Sequence, residues 1–205
     1  MEVVGVGPNP RLFLTVEGLR RIEEADVVVS SESMLREIDG MRVEFEVDLS
    51  GKEVLTWDGS VRDVLDEAAE LGRRTVVLAR GDPLYMGVGK LACIFHDAEV
   101  VPGVSSLQAL LARECMGFHE VEAHVNLHSE EDVDEVVRNV KDGRVTAVLY
   151  GKVEPAAVVE ALEREGLTDV GVLAGERLWY PDEVVARDLD ALSRMSHFSV
   201  SVFFP

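Results

Sequence analysis

Three glycine-containing turns are the parts of this chain whose residue types favour ligand chemistry. They are Gly5-Val6-Gly7-Pro8, Gly81-Asp82-Pro83 and Pro102-Gly103-Val104-Ser105-Ser106, and each directly follows a run of apolar residues that predicts a buried strand. Glycine has no side chain and adopts backbone angles that other residues avoid, so such a turn lets the main chain approach a bound molecule closely. A tight turn with no ligand is the alternative for each turn taken alone.

The first turn departs from the phosphate-binding loop of dinucleotide enzymes. That loop has the pattern GxGxxG, and its last glycine lies in a helix whose N-terminus faces the pyrophosphate. Here Pro10 stands at that position, and the sequence predicts that the next helix begins only near Thr15. The acid expected after the second strand is replaced by Ser30 and Ser31. These departures argue against an oxidoreductase that binds a nicotinamide or flavin dinucleotide.

The second and third turns contain side chains that accept or donate hydrogen bonds. Asp82 is an acceptor ahead of a rigid proline turn, and it either meets a ligand or caps its own loop. Ser105 and Ser106 stand where a helix N-cap belongs, and they either bind polar ligand atoms or cap that helix. A fourth segment, GERLWYPDEVV at Gly175–Val185, predicts a packed aromatic turn, with core filling as the simpler interpretation of Trp179 and Tyr180.

An alternation of strands and helices predicts the scaffold that positions these turns. In the first half it favours a mostly parallel sheet with helices on its faces. Predicted strands there are Val3–Val6, Val27–Ser30, Val43–Val47, Thr75–Ala79 and Glu99–Val101, and predicted helices are Thr15–Glu24, Ser60–Leu71, Gly89–Phe95 and Ser105–Cys115. All three glycine turns then fall at the carboxyl ends of parallel strands, where open α/β sheets bind their ligands.

The second half predicts a mixed sheet, because several strands follow one another at the end of the chain with little helix between them. Strands are expected at Val121–Leu127, Val145–Tyr150, Val170–Leu173, Val184–Arg187 and Phe198–Phe203, and helices at Pro155–Gly166 and Leu189–Arg194. The predicted organisation is two α/β domains, residues 1–117 and 118–205. No metal site or disulfide framework is expected from Cys93 and Cys115, which lack a CxxC spacing.

The formal net charge of -19 makes nucleic acid an unlikely partner, because a strongly acidic chain repels phosphate. No apolar run approaches the roughly 20 residues that span a membrane, and no basic leader precedes an apolar segment. The expected location is the cytoplasm. The acidic residues are interpreted as a solvated surface, which also suits a protein that works in concentrated salt.

Taken together and in this order, the three turns resemble the tetrapyrrole methylase family. The family pattern of a GxGPG-like start, a Gly-Asp-Pro loop and a Pro-Gly-Val-Ser-Ser turn is matched at Gly5–Pro8, Gly81–Pro83 and Pro102–Ser106. The resemblance implies a class III methyltransferase-like fold with S-adenosylmethionine in a cleft between two domains, held by loop backbone. It also implies a small tetrapyrrole substrate and, commonly, a homodimer.

The ending GERLWYPDEVV resembles the E-x-L-x-x-P-D-E segment of one branch of this family. That branch methylates carbon 5 of the corrin precursor cobalt-precorrin-7 in cobalamin biosynthesis. The length of the chain resembles the stand-alone form of that enzyme, so methylation at carbon 15 and decarboxylation would belong to a separate protein. Another methylase of the same fold and a non-catalytic tetrapyrrole carrier are the alternatives.

The resemblance also assigns residues to the cofactor site. These are Gly7, Pro8, Gly81, Asp82, Tyr85, Ser105, Ser106, Leu149, Tyr150, Ala174 and His197. Methyl transfer from a sulfonium needs alignment and exclusion of water more than a protein nucleophile. No catalytic residue is therefore assigned, and Asp82 and His128 are only candidates for a base that removes a proton from the ring.

Two segments depart from the family pattern. Asn126–Glu130, NLHSE, stands where the family often has S-x-H-G-R, so Glu130 replaces an arginine. Leu149–Pro155, LYGKVEP, stands where the family tends to have L-T-D-P, and its Lys152 could supply the lost positive charge. A substrate with many carboxylates needs local positive charge in an acidic protein. The candidate cations are Arg11, Arg80, Lys90, Arg113, Lys152 and Arg177.

Overall fold

A computed structural model describes residues 1–38, 47–57 and 59–204, and it divides the chain into two compact units. The first is Met1–Ser105 and the second is Ser106–Pro205. The boundary predicted at residue 117 falls later in the chain. Helix α6, Ser106–Leu111, precedes that point and packs on strands of the second unit, which accounts for the earlier division.

The first unit is built on a fully parallel five-stranded sheet in the order β3-β2-β4-β1-β5. The strands are β1 (Glu2–Gly5), β2 (Val27–Ser30), β3 (Glu53–Thr56), β4 (Thr75–Ala79) and β5 (Glu99–Val101). The three inner strands, β2, β4 and β1, are buried on both faces, which is why they read as continuous apolar runs and not as an alternation.

Helices cover both faces of this sheet. They are α1 (Pro10–Phe13), α2 (Val16–Glu24), α3 (Glu32–Ile38), α4 (Val61–Glu70) and α5 (Gly89–His96). Val4, Val28 and Leu78 pack with Ile22 of α2 on one face. Val3, Val29 and Val77 pack with Leu65 of α4 on the other face. Successive residues of one strand therefore belong to two separate hydrophobic cores.

The second unit is built on a mixed sheet in the order β6-β7-β10-β8-β9, in which only β6 and β7 are parallel neighbours. The strands are β6 (Ala123–Leu127), β7 (Thr146–Tyr150), β8 (Gly171–Glu176), β9 (Val184–Ala186) and β10 (Val200–Phe204). The helices that follow α6 are α7 (Glu131–Lys141), α8 (Pro155–Arg164) and α9 (Leu189–Ser193). A single large core joins one side of this sheet to these helices.

The structure confirms the predicted α/β class, with a parallel sheet in the first unit and a mixed sheet in the second. Several helix starts follow the predicted chemistry, since Thr15 and Ser60 accept hydrogen bonds from the backbone N–H groups of Gly18 and Asp63. The predicted strand Val43–Val47 falls mostly outside the described residues. Helix α3 and strand β3 have no counterpart among the predicted elements.

The prediction that no helix begins before Thr15 is wrong. Helix α1 forms a single turn at Pro10–Phe13 directly after the first glycine turn. Pro10 occupies its first turn, where a missing backbone N–H costs nothing, and the Asn9 side chain caps it by accepting from the backbone N–H of Arg11 at 3.1 Å. The sequence signal was present, because an asparagine ahead of a proline is a helix-start pattern.

Candidate functional site

The three glycine turns lie together at the carboxyl edge of the first sheet. They follow β1, β4 and β5, and β1 lies between the other two strands. The prediction that they share one edge is therefore confirmed. We call them the glycine loops, defined as residues 5–10, 80–89 and 102–105.

The first two glycine loops are joined by backbone hydrogen bonds. Gly7 and Gly81 form an antiparallel bridge in which each backbone N–H donates to the other's carbonyl, at 3.2 and 3.1 Å. Both residues have positive φ angles, 74° and 70°, which suit glycine. The polar groups of these two residues thus hold the loops to one another.

Asp82 connects the second and third glycine loops. One of its carboxylate oxygens accepts from the backbone N–H groups of Leu84 and Tyr85, at 2.8 and 3.1 Å. The other oxygen accepts from the backbone N–H of Gly103 at 3.2 Å. Asp82 therefore caps its own turn, as one interpretation of the sequence held, and it also fixes the neighbouring loop. Because both carboxylate oxygens already accept backbone hydrogen bonds, we do not assign Asp82 a proton-transfer role.

Glycine at these positions is required by contact between the loops. A Cβ atom at Gly103 would lie 2.8 Å from the carbonyl carbon of Gly5 and would also strike the carbonyl oxygen of Gly81. A Cβ at Gly5 would lie 2.6 Å from the backbone nitrogen of Gly103. The glycines therefore bring loop against loop, whereas the sequence suggested that they bring backbone against ligand.

The turn after β1 cannot offer a free helix N-terminus to a phosphate. Helix α1 has four residues, and its Asn9 cap is 4 % exposed with its side-chain oxygen already occupying the N-terminal donor of Arg11. Pro8 and Pro10 are buried on either side of Asn9. This arrangement fits a ligand that carries no phosphate. S-adenosylmethionine has no phosphate group, whereas a dinucleotide has two.

The remaining predicted cofactor residues of the first unit lie on the same loops. Ser105 is buried at 3 % exposure and Tyr85 is half-buried, and burial raises the pKa of the Tyr85 hydroxyl. Leu84 is 56 % exposed and stands at the tip of the second loop. Ser106 is half-buried and begins α6, in the second unit.

In the second unit, two predicted cofactor residues direct their side chains into the core. Tyr150 is 5 % exposed, and its hydroxyl shares a 2.7 Å hydrogen bond with the Ser201 hydroxyl of the adjacent strand. Burial raises the pKa of Tyr150. Ala174 is fully buried in the same core. Only the main chain of these residues is placed to meet a ligand, whereas Leu149 on the other face of β7 is partly exposed.

His197 precedes β10 in a segment tied down by two carboxylates. Its Nδ1 lies 2.8 Å from the Glu154 carboxylate, and its ring packs against Phe198 at 4.1 Å between centroids. Glu176, at the end of β8, accepts from the backbone N–H and the hydroxyl of Ser196, at 3.0 and 2.8 Å. Sequence reasoning missed both carboxylates, because nothing local to Glu154 or Glu176 indicates a partner so far along the chain.

His128 lies at the carboxyl edge of the parallel pair β6 and β7. Its Nε2 is 2.8 Å from the side-chain amide nitrogen of Asn126. The Asp132 carboxylate accepts from the backbone N–H groups of His128 and Ser129, both at 2.8 Å, and these bonds lower the pKa of Asp132. The loop after β6 is thus held by its own side chains while the His128 ring stays exposed.

The aromatic turn of the second unit packs around Arg113. From the sequence alone, this residue is only a candidate cation for the substrate. Its guanidinium lies 4.1 Å from the centroid of the Trp179 ring and donates to Glu183 at 2.6 Å. Arg177 and Trp179 both have positive φ angles, 50° and 66°. Trp179 is 37 % exposed and Tyr180 is half-buried, so the core-filling interpretation of these two residues is wrong. Leu178, at 4 %, is the buried residue beside them.

The candidate cations separate into two groups. Arg80, Arg113 and Arg177 form ion pairs with Glu37, Glu183 and Asp182, at 2.9, 2.6 and 2.6 Å. Among the residues that the structure describes, the side chains of Arg11, Lys90 and Lys152 form no ion pair. An arginine whose donors already meet a carboxylate has less to offer a substrate.

Residues 1–38, 47–57 and 59–204 include neither a metal-binding cluster nor a membrane-spanning helix. They contain no group of three or more histidine, cysteine or acidic side chains arranged to hold a metal ion. No helix in these ranges is long and apolar enough to cross a membrane.

A family model described as Tetrapyrrole (Corrin/Porphyrin) Methylases matches residues 2–191 of this chain. The chain belongs to the tetrapyrrole methylase family. The match extends over both compact units, so the glycine loops and the β6–β7 edge are parts of one family fold.

Curated relatives in the family carry several names. A probable cobalt-precorrin-7 C(5)-methyltransferase of Methanocaldococcus jannaschii is 26% identical over 63% of this chain and 61% of its own length. The Salmonella typhimurium cobalt-precorrin-7 C(5)-methyltransferase is 31% identical over 59% and 58%. A cobalt-precorrin-4 C(11)-methyltransferase of M. jannaschii is 32% identical over 54% and 44%. The matched region thus spans less than two thirds of each of these relatives.

Solved structures share the whole fold. The precorrin-6Y methylase (CbiE) of Archaeoglobus fulgidus is 25% identical, with a TM-score of 0.69 over 100% of this chain and 96% of that one. The methyltransferase CobJ has a TM-score of 0.76 at 21% identity, over 99% and 92%. A uroporphyrin-III C-methyltransferase of Thermus thermophilus, crystallised with S-adenosyl homocysteine, has a TM-score of 0.65 at 24% identity, over 100% and 97%.

Proposed function

We propose that this protein is an S-adenosylmethionine-dependent methyltransferase that methylates carbon 5 of cobalt-precorrin-7. The observation that carries the proposal is the agreement of two relatives named for that reaction with a precorrin-6Y methylase structure that matches almost end to end. The GERLWYPDEVV turn, which resembles the same branch, supports it from the sequence. The C(11)-methyltransferase relative makes carbon 11 of cobalt-precorrin-4 the second candidate.

The glycine loops fit S-adenosylmethionine as the methyl donor. When bound, that molecule supplies an activated methyl group on a sulfonium sulfur. The residues that would hold it in the first unit are those of the three loops: Gly7, Pro8, Gly81, Asp82, Tyr85 and Ser105. In the second unit they would be Ser106, Leu149, Tyr150, Ala174 and His197, with Tyr150 and Ala174 acting through the main chain.

The contribution of the chain to catalysis is mainly alignment. Loops that are bonded to each other through the Gly7–Gly81 bridge and the Asp82 carboxylate lose little further freedom when a ligand binds. Holding two reactants in the right geometry can supply on the order of 7–11 kcal/mol of a reaction barrier. The net charge of -19 also favours binding of the sulfonium cation of S-adenosylmethionine over binding of S-adenosylhomocysteine, whose sulfur is neutral.

The first test is calorimetric. S-adenosylmethionine, S-adenosylhomocysteine and NAD are titrated into the purified protein at low and high salt. We expect both sulfur ligands to bind and NAD not to bind, with the affinity for S-adenosylmethionine falling more steeply as salt is added. Binding of NAD, or of neither sulfur ligand in the presence of a corrin precursor, would contradict the proposal.

The second test identifies the substrate carbon. The protein is incubated with methyl-¹³C-labelled S-adenosylmethionine and either cobalt-precorrin-7 or cobalt-precorrin-4, and the product is examined by NMR. We expect the label at carbon 5 of cobalt-precorrin-7. Label at carbon 11 of cobalt-precorrin-4 would support the second candidate, and tetrapyrrole binding without label in either product would indicate a carrier. Homodimer formation and a separate carbon-15 enzyme are further proposals, which light scattering and a coupled assay check.

A further inference from the structure

Two basic residues, His128 and Lys152, follow the parallel strands β6 and β7 at the same edge of the sheet. The backbone N–H groups of Gly151 and Lys152 both donate to the carbonyl of Leu127, each at 3.0 Å. The strand register, with Leu127 opposite Tyr150, places Gly151 across from His128 and puts Lys152 one residue beyond it. Because β6 and β7 run parallel, this is an edge where α/β sheets bind ligands.

The hydrogen bonds around His128 leave one ring nitrogen to serve as a donor. The side-chain amide nitrogen of Asn126 lies 2.8 Å from Nε2, so in the neutral ring Nε2 accepts and the proton is on Nδ1. Nδ1 faces Gly151, where a Cβ atom would lie 3.2 Å away. Glycine at that position therefore keeps the Nδ1–H group uncovered.

Two carboxylates near Lys152 in the chain, those of Asp132 and Glu154, have partners other than its ammonium group. Asp132 accepts two backbone N–H groups and the Ser129 hydroxyl. Glu154 pairs with His197 at 2.8 Å. In the part of the chain that the structure describes, the Lys152 side chain is exposed and forms no ion pair. In a chain with net charge -19, an unpaired cation beside an oriented histidine is a suitable site for an anion.

We infer that the β6–β7 edge, defined as Asn126, His128, Gly151 and Lys152, binds a carboxylate of the macrocycle that the enzyme methylates. The inference rests on the proposed function, since it takes the substrate to be a tetrapyrrole with carboxylate side chains. The Lys152 ammonium group and the His128 Nδ1–H group donate to the carboxylate oxygens, and Asn126 is a positioning residue that orients the imidazole. Glu130, exposed on the same loop, opposes the binding by charge.

The test measures binding of a porphyrin polycarboxylate, with no methyl transfer required. Uroporphyrin and its methyl ester are titrated into the wild-type protein and into Lys152→Gln and His128→Ala by fluorescence quenching. Arg138→Gln, which removes an exposed cation from α7, is the matched control. Loss of a charge-assisted hydrogen bond predicts about tenfold weaker binding of the acid to Lys152→Gln, with a smaller loss in His128→Ala and none in the control.

Two further measurements separate this inference from the proposed function. Glu130→Gln should tighten binding of the acid a few-fold, and the ester should bind the wild type and all variants alike. S-adenosylhomocysteine affinity should be the same in all of them, which shows that the variants are folded. Equal affinity of wild type and Lys152→Gln for the acid would overturn the inference, even if cobalt-precorrin-7 is methylated. Lysine-dependent binding without methylation of cobalt-precorrin-7 would overturn the proposed function and leave this subsite standing.

Discussion

The glycine loops of the first unit and the β6–β7 edge of the second unit occupy equivalent places on their sheets but are built in different ways. The glycine loops are joined through backbone groups, and their most polar side chain, Asp82, is committed to neighbouring N–H groups. The β6–β7 edge has an ordered backbone and exposed side chains, His128 and Lys152. The first arrangement presents mainly main-chain groups, and the second presents two exposed basic side chains.

This difference explains where each unit matches the family pattern. The glycine loops match it closely, because a packed backbone accepts no substitution at Gly5 or Gly103 without a clash. The β6–β7 edge departs from it at Glu130 and Lys152, whose exposed side chains change without disturbing the fold. A family signature made of packing residues therefore indicates the fold.

The largest effect is expected from Gly103→Ala. The added Cβ would meet backbone atoms of Gly5 and Gly81, which cannot move aside as a flexible side chain can. We expect a loss of about 3 kcal/mol in the free energy of unfolding, measured in urea, together with weaker binding of S-adenosylhomocysteine. Gly59→Ala is the matched control, because a Cβ there meets nothing within 4 Å. Equal stability of the two variants would show that the loops are not closely packed.

Asp82→Ala should have the next largest effect. It removes the acceptor of three backbone N–H groups, two of which are in partly buried hydrogen bonds, and this predicts a loss of about 2 kcal/mol of stability. Asp82→Asn keeps one side-chain oxygen and loses only the bond to Gly103, so it should cost less when both are measured by urea unfolding. If the two substitutions leave stability unchanged and abolish only catalysis, Asp82 acts on the ligand. The glycine loops would then not differ from the β6–β7 edge in the way described above.

The smallest effect is expected from a substitution in the core of the second unit. Tyr150→Phe removes the hydroxyl that bonds to Ser201 in the core, so we expect a loss of about 1 kcal/mol of stability with unchanged affinity for S-adenosylhomocysteine. The double variant Tyr150→Phe with Ser201→Ala should lose less than the sum of the single variants, since no buried group is left without a partner. Loss of ligand affinity in Tyr150→Phe at full stability would place the hydroxyl in the binding site.

Much of the scaffold was predictable because its signals are local. Valine-rich runs such as Val27–Ser30 indicate buried parallel strands, and capping residues such as Ser60 mark helix starts from within one turn. Strand β3 was not predicted, because it lies at the edge of the sheet and its residues Glu53 and Thr56 are exposed. An exposed edge strand does not need the apolar pattern from which buried strands are predicted. Helix α1 is too short for a periodic pattern to reveal it.

The sequence by itself determined the α/β class of the protein, the common edge of its three glycine turns and its resemblance to the tetrapyrrole methylases, since each depends on residues close together in the chain. Only the tertiary structure decided what the polar residues do. It committed Asp82 to Gly103 and Arg113 to Glu183, and among the residues that it describes it gave Lys152 no ion pair. The physical reason is that hydrogen bonds and ion pairs depend on distances between atoms far apart in sequence, and those distances exist only once the sheets have formed.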